Sequence, residues 1–302
     1  MAKYVTVQVT RREPPATVEV TGPQCKKCRH GLHDGEMEQS YHVCPYCGYH
    51  YPMPAPARVA LLADAGTVTF IADELRPADP LEFFDLRPYP ERVAEAQKET
   101  GLTEAMLAGL CSIAGHPVAL GVMDFKFMGG SMGSVLGERF YRLAQAAMRD
   151  RRPLIVTASS GGARMQEGVF SLMQMAKTVT AARLVSEAGL PYITVLTHPT
   201  TGGVFASWAT TADVILAEPG AVMQFAGSRI IEQTTREKLP PDFGTSEKQL
   251  SQGQVDMVVH RLDLKDRLAR ILDFLEGGSE RPCQRRQANI GDAGAQRGQQ
   301  HG

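Results

Sequence analysis

No apolar run in this chain of 302 residues approaches the ~20 that a helix needs to cross a bilayer, and the opening MAKYVTVQVTRREPP lacks the apolar stretch of a secretory signal. The expectation is a cytoplasmic protein with no membrane partner. Charge of one sign is also missing. With 32 Lys and Arg against 33 Asp and Glu, the chain as a whole does not attract nucleic acid or an anionic surface, and any basic patch must be local. Neither G-x-x-x-x-G-K-[ST] nor G-x-G-x-x-G occurs, so no motif supports a nucleoside triphosphate or a dinucleotide. Cysteines number only six. Four fall into two C-x2-C pairs while Cys111 and Cys283 are scattered, which fits a reducing compartment better than a disulfide framework. What remains is ordinary globular composition, 43% hydrophobic and 22% charged, enough for one large domain and a small one.

Residues 1–23 alternate Val and Thr and then turn basic and proline-containing, which predicts a mobile N-terminal arm. Cys25 and Cys28 follow, then a gap of fifteen residues, then Cys44 and Cys47. Each C-x2-C makes a tight knuckle with two thiolates on one side, and two knuckles complete a closed tetrahedral Zn²⁺ site. Four sulfurs leave no position for a reactive water, so the site reads as structural. His30, His33, His42 and His50 lie near as alternates but read as solvated loop residues. Lys26, Lys27, Arg29 and His30 make the first knuckle basic, which allows weak, salt-sensitive contact with nucleic acid. Pro52, Pro54 and Pro56 mark a linker, giving a ribbon over 24–56, a main domain over 57–276 and, from its composition, a disordered tail over 277–302.

Within the main domain, hydrophobic strand, glycine turn and helix recur three times. PLIVTASSGGARMQEG (153–168) places a short β-branched run before Ser159-Ser160-Gly161-Gly162 and a helix expected from Met165 to Ala188, with Val169, Leu172, Met173, Ala176, Val179 and Leu184 on its buried side. MGGSMGSVLG (128–137) precedes a helix carrying Leu136, Phe140 and Leu143. PYITVL runs into Thr197-His198-Pro199-Thr200-Thr201-Gly202-Gly203 and an expected helix over Val204–Thr211. Two apolar runs, Ala105–Ser112 and Val118–Val122, are separated by a turn signal, and further strands are expected at Thr67–Ile71, Asp213–Ala217 and Ala221–Phe225. Helices are expected at Ala57–Ala65, Glu91–Thr100 and Arg229–Leu239. Glycine turns at strand ends leave backbone N–H groups bare, and two such donors about 3 Å from a developing oxyanion are worth roughly 3–4 kcal/mol each. An enolate of an acyl thioester is the natural guest. Arg164, Glu167 and His198 look isolated in these turns, so no acid–base pair is evident. Gly129-Gly130-Ser131-Met132-Gly133 also satisfies the G-x-S-x-G pattern of a hydrolase elbow, with His198 or His260 and Asp213 or Asp256 as formal partners for Ser131. A zinc-ribbon protein that binds nucleic acid without catalysis is the alternative from another class.

The runs MDFKFMGGSMGSVLGERF, SSGGARMQEG with SLMQMAKT, PTTGGVFAS and FAGSRIIEQTTREKLPPDF, with the four-cysteine ribbon before them, resemble the carboxyltransferase β subunits of bacterial acetyl-CoA carboxylase over about residues 24–275. The resemblance implies an α/β, crotonase-like (ClpP/crotonase) spiral fold of repeated ββα units. It implies one oxyanion donor at Gly162 or Ala163 and the other at Gly203, with Gly161 and Gly202 shaping the turns, Gly129 and Gly130 close to the CoA, and Ser131 a bystander. It gives Cys25, Cys28, Cys44 and Cys47 as zinc ligands. Acetyl-CoA and carboxybiotin on a carrier protein are the implied substrates. A separate α subunit in an α2β2 assembly, the biotin carboxyl carrier protein and biotin carboxylase are the implied partners, and malonyl-CoA for fatty acid synthesis the product. Biotin would be the base. A malonate-decarboxylating relative is the neighbouring reading, which the fused ribbon disfavours. His198, where Asp is expected, Phe205, where a small residue is usual, and Tyr49, where His is usual, depart from the pattern and bear on the shape of the acyl pocket.

Overall fold

The computed structural model describes residues 23–277 apart from 34, so the arm 1–22, the tail from 278 and Cys283 lie outside the described residues. The small N-terminal module carries α1 (Glu36–Gln39) between its two cysteine knuckles. Pro54 and Pro56, tolerated at a helix start because no N–H is needed there, open α2 (Ala55–Leu62). The rest follows as β1 (Thr69–Phe70), α3 (Tyr89–Thr100), β2 (Met106–Ile113), β3 (His116–Met123), α4 (Ser134–Arg149), β4 (Leu154–Ser160), α5 (Val169–Glu187), β5 (Tyr192–Thr201), β6 (Val214–Ala217), β7 (Met223–Gln224), α6 (Ser228–Thr235), α7 (Ser246–Ser251), β8 (Met257–Val258) and α8 (Leu264–Gly277).

The strands form one eight-stranded sheet in the order β1-β2-β3-β4-β5-β6-β8, with β7 continuing against the end of β5. β2 and β3 are a true hairpin, Ile113 opposite His116. Its two turn residues, Ala114 and Gly115, both take left-handed φ (50° and 88°), and their N–H groups are held by the Asp64 carboxylate at 3.0 and 2.7 Å. From β3 onward the pairing is parallel, Leu154 standing between Ala119 and Tyr192. Parallel strands are covered on both faces, and β4 accordingly is buried along its whole length. α4 packs on β2, β3 and α5, while α2 and α8 pack on each other and on β2. Because β3, β4 and β5 run the same way, the segments that follow them, 124–133, 161–168 and 202–205, collect at one edge of the sheet.

Several elements differ from expectation. The helix after the second glycine turn does not start at Met165: Met165–Glu167 is a single 3₁₀ turn, and α5 begins after Gly168. Val204–Thr211 is two 3₁₀ turns rather than one helix. There the Ser207, Thr210 and Thr211 hydroxyls donate to backbone carbonyls and compete with the helical ladder. α6 stops at Thr235, with Arg236 left-handed at φ 59°, after Thr234 and Thr235 bond back to the Ile230 and Ile231 carbonyls. The largest difference is the facing of α5. Ser171, Gln174, Thr178, Ala181, Ala182 and Val185 are its buried side, and Val169, Leu172, Met173, Ala176 and Val179, expected in the core, are exposed. The helix is apolar on two sides and its own domain uses the less apolar one.

Candidate active site

The first glycine turn takes Met128, Gly129 and Gly130 through successive left-handed φ values of 48°, 67° and 61°. Only glycine fits at 130, since a Cβ there would lie 2.1 Å from Ser159 O. The second turn is pinned to the first: Gly161 N donates to Gly129 O at 2.9 Å, Met132 N to Gly162 O at 2.8 Å and Arg164 N to Met132 O at 3.0 Å. The third lies on the second, for a Cβ on Gly162 would come within 3.2 Å of Gly203 N. Gly162 also holds φ 117°, so its missing side chain is what keeps the Gly203 N–H open.

One of the three candidate donors is already committed, and so is the N–H of the turn-shaping Gly202. Gly162 N donates to Ser160 Oγ at 3.0 Å, and Gly202 N donates to Phe225 O at 3.0 Å. The N–H groups of Ala163 and Gly203 have no hydrogen-bond partner among the described residues. In a trans peptide the carbonyl and N–H point opposite ways, so the bond from Met132 N to Gly162 O turns the Ala163 N–H away from the first turn. Ala163 also lines a cleft of about 360 Å³, together with Lys126, Met128, Ser131, Met165 and Gln166 among others. The Cβ direction of Gly203 faces inward instead, 2.8 Å from Met175 Sδ and 3.3 Å from Met132 Cε, so at 203 the bare backbone serves packing as well as approach.

Arg164 and Glu167 are not isolated. Arg164 is fully buried, and its guanidinium donates to both oxygens of Glu104 (Nη1 to Oε2 at 2.8 Å, Nη2 to Oε1), to Tyr89 Oη at 3.1 Å, Glu167 Oε1 at 3.3 Å, Ser131 Oγ at 3.1 Å and Ser131 O at 2.7 Å. Phe127 lies against it, with the ring centroid 5.6 Å from Cζ. Tyr89 Oη donates to Glu167 Oε1 at 2.7 Å, and Glu167 Oε2 takes the Ser134 N–H at the start of α4 at 2.6 Å. Burial alone would lower the Arg164 pKa, but Glu104 overrides it and holds the guanidinium more firmly protonated than usual. Burial raises the Tyr89 pKa, so its phenol stays a donor. Removing one partner from such a buried pair typically costs about 3–5 kcal/mol. Ser131 is thus an acceptor for Arg164. The residues that could formally complete a triad are occupied: His198 Nδ1 accepts Val222 N, His260 Nδ1 accepts Leu262 N, Asp213 accepts Tyr192 N and Asp256 accepts Ile215 N. No contact joins Ser131 to a histidine among the described residues.

The two cysteine knuckles have the same build: Cys25 N donates to His30 O and Cys44 N to Tyr49 O, both at 2.8 Å. Cys25 Sγ and Cys47 Sγ stand 3.8 Å apart, as do those of Cys28 and Cys44, and all four sulfurs lie within 4.8 Å of one another. A tetrahedron with metal–sulfur bonds of about 2.3 Å has edges of about 3.8 Å, so the donor set fits a four-sulfur metal site. The nearby histidines do other work. His30 stacks on Tyr46, and His50 donates from Nδ1 to Gly48 O and accepts Arg261 N at Nε2, its pKa pushed down to about 4 by burial. Arg261 ties the ribbon to the main domain. It donates to the Tyr41, His42 and Tyr51 carbonyls and to both oxygens of the buried Glu218, which Arg58 also meets at 2.7 Å.

Sequence reasoning placed the three turns and the cysteines but missed Glu104, Tyr89, Met132 and Arg261. The one available signal was the Arg164-x-x-Glu167 pair inside the second turn.

The sheet with its interlocked glycine turns, and the four-cysteine cluster before it, place the molecule among crotonase-like carboxyltransferases. Residues 81–265 match the carboxyl transferase domain family. The acetyl-coenzyme A carboxylase carboxyl transferase subunit beta of Rubrobacter xylanophilus is 51% identical over 252 residues, 83% of this chain and 97% of that protein. The protein of the same name from Thermus thermophilus is 52% identical over 255 residues, 84% of this chain and 89% of that one. Transcarboxylase 12S, solved with methylmalonyl-coenzyme A and methylmalonic acid bound, superposes with a TM-score of 0.61 at 25% identity, over 73% of this chain and 41% of that one. A Pseudomonas malonate decarboxylase hetero-dimer shares the fold, with a TM-score of 0.56 at 19% identity over 74% of this chain and 86% of that one. The chain belongs to the carboxyl transferase family, among the β subunits of acetyl-coenzyme A carboxylase.

Proposed function

We propose that this chain supplies the acyl-CoA half of an acetyl-CoA carboxylase carboxyltransferase, with the Ala163 and Gly203 N–H groups as the donors for the thioester oxygen. The observation that carries the reading is that these two donors, on interlocked turns, are left without a protein partner among the described residues, and that Ala163 lines an open cleft. As the methyl proton of acetyl-CoA leaves, negative charge gathers on that oxygen, and two preorganised donors stabilise it more than they stabilise the neutral thioester. Arg164 and Glu167 are locked to other groups and His198 accepts a backbone N–H, so the base comes with the carboxyl donor, carboxybiotin on its carrier protein. Carbon of the enolate then takes the carboxyl group to give malonyl-CoA. Gly161 and Gly202 hold the turns, and Gly129 and Gly130 keep the first turn low enough for CoA to lie across it. Cys25, Cys28, Cys44 and Cys47 hold a structural Zn²⁺. The same resemblance carries a cytoplasmic location.

The α subunit is the partner we assign to the exposed stripe of α5. Met165, Val169, Leu172 and Met173 are each more than half exposed, and so are Phe225 and Ile230 near the third turn. So many exposed large apolar side chains on α5 and the turns beside it are what an interface would cover. Biotin carboxylase and the carrier protein complete the assembly.

The test is acetyl-CoA carboxylation by the purified chain with α subunit and biotinylated carrier. Gly203→Val forces Met175 and the turn apart and should lower kcat at least ~10²-fold, the typical scale for one lost oxyanion donor, while metal content and assembly stay normal. Near-full activity of that variant would remove the donor assignment.

A further inference from the structure

The donor assignment above leaves open what holds the Ala163 N–H in its orientation, and neither glycine chemistry nor the sheet explains it. Ala163 follows β4 but sits outside it, and α5 starts only after Gly168, so no regular element fixes the peptide between Gly162 and Ala163. That peptide is held by Met132, whose N–H takes the Gly162 carbonyl and whose carbonyl takes the Arg164 N–H. Met132 is itself in a loop. Its neighbour Ser131 is gripped at two points, hydroxyl and carbonyl, by the guanidinium of Arg164.

The chain therefore closes a ring, Arg164 backbone to Met132 carbonyl and Met132 through Ser131 to the Arg164 side chain, and the two backbone bonds of Met132 span Ala163 on its flank. The ring is anchored from outside. Glu104 meets two guanidinium nitrogens, and Glu167, with Tyr89 donating to it, ties the same guanidinium to the N-terminus of α4. The ring also reaches the other donor, since the Met132 methyl lies where a Cβ of Gly203 would come within 3.3 Å. Burial excludes water from the fork, so no solvent can take over a lost contact.

We infer that Arg164 is a positioning residue for the reaction: its guanidinium fork, clamped by Glu104, Glu167 and Tyr89, sets the Ala163 donor through Ser131 and Met132. It is fully buried and does not line the cleft. A lysine there keeps the charge and loses the fork, because one ammonium cannot meet Ser131 Oγ, Ser131 O and both Glu104 oxygens in plane. Donor angle and distance then drift, and a drift of about 1 Å at a reacting group costs up to ~10²-fold in rate.

The inference rests on the acetyl-CoA carboxyltransferase reading, and the two are tested apart by the wild-type complex: if it fails to carboxylate acetyl-CoA, that reading fails first. With the wild type active, Arg164→Lys in the assembled complex should lower kcat at least ~10-fold while KM for acetyl-CoA moves less than ~3-fold, the split expected when only transition-state stabilisation is lost. Tyr89→Phe, isosteric and remote from the cleft floor, should lose kcat in the same direction by a few-fold. Leu272→Ala, a cavity in α8 far from the turns, serves as a stability control, lowering the melting temperature with kcat at 25 °C unchanged. If Arg164→Lys does not fold, Tyr89→Phe and Ser131→Ala carry the test through the same kcat and KM split. Wild-type kcat in every folded clamp variant, or a loss in KM alone, would overturn the positioning role.

Discussion

Glu218 shows how a single side chain sets a pH limit. Burial raises its carboxyl pKa, but Arg58 and Arg261 overcome that and hold it at about 2, against an ordinary 4.5. A carboxylate lowered in the folded state contributes stability that is complete above about 4.5 and is lost as pH falls toward about 2. The wild type should therefore exceed Glu218→Gln in melting temperature most clearly above pH 4.5, and the gap should close toward pH 2. A gap independent of pH would show that the carboxylate is not what the two arginines recognise. None of this was legible in the sequence, because Arg58, Glu218 and Arg261 are far apart along it and nothing in their spacing pairs them. The glycines were legible for the opposite reason: Gly161-Gly162 and Gly202-Gly203 act locally, each at the end of its own strand. Which of their N–H groups stay free was not, since that depends on Ser160 and Phe225 reaching back to two of them.

The cysteine ribbon is the element whose chemistry could be read most directly, two knuckles at fixed spacing giving four sulfurs in one tetrahedron. Its own cluster is small, Cys25, Leu32 and Cys44, so a metal held by the four sulfurs would provide most of what orders it, while the main domain has a separate and much larger core. Chelation should leave the helical circular dichroism of the main domain largely intact and lower its melting temperature, because Arg261 loses three carbonyl acceptors. A single loss of all signal on chelation would mean that ribbon and core fold as one unit. α5 teaches the complementary lesson. Its apolar spacing was plain, but a periodic stripe says that a face will be covered and not by what. Ser171, Gln174 and Thr178 were passed over because small polar residues can pack tightly against α4 without standing out in a hydrophobic pattern.

At the scale of the whole molecule, the recurrence of β-branched run, glycine turn and helix was legible in the sequence, and the order of the sheet follows from short connections between neighbouring strands. What one chain does not display is what covers the exposed face of α5. If the α5 stripe is where the α subunit docks, Leu172→Asp should weaken the α–β complex at least ~10-fold, about 1.4 kcal/mol, by placing a charge in an apolar interface. The isolated chain should keep its melting temperature, since Leu172 is exposed in it. Sedimentation of the mixed subunits reads the first and calorimetry the second. Undiminished association would move the interface elsewhere.

Arg261 holds Tyr51 from 210 positions further along the chain. Translation delivers the two in that order, and at roughly 5–20 residues per second the ribbon leaves the ribosome about 10–40 s before its anchor exists. During that interval the ribbon has only its own small cluster and whatever its four sulfurs capture to hold it in shape. The order of synthesis thereby asks the ribbon to keep its shape before the contact that fixes it to the main domain exists, whatever the stability of the completed fold.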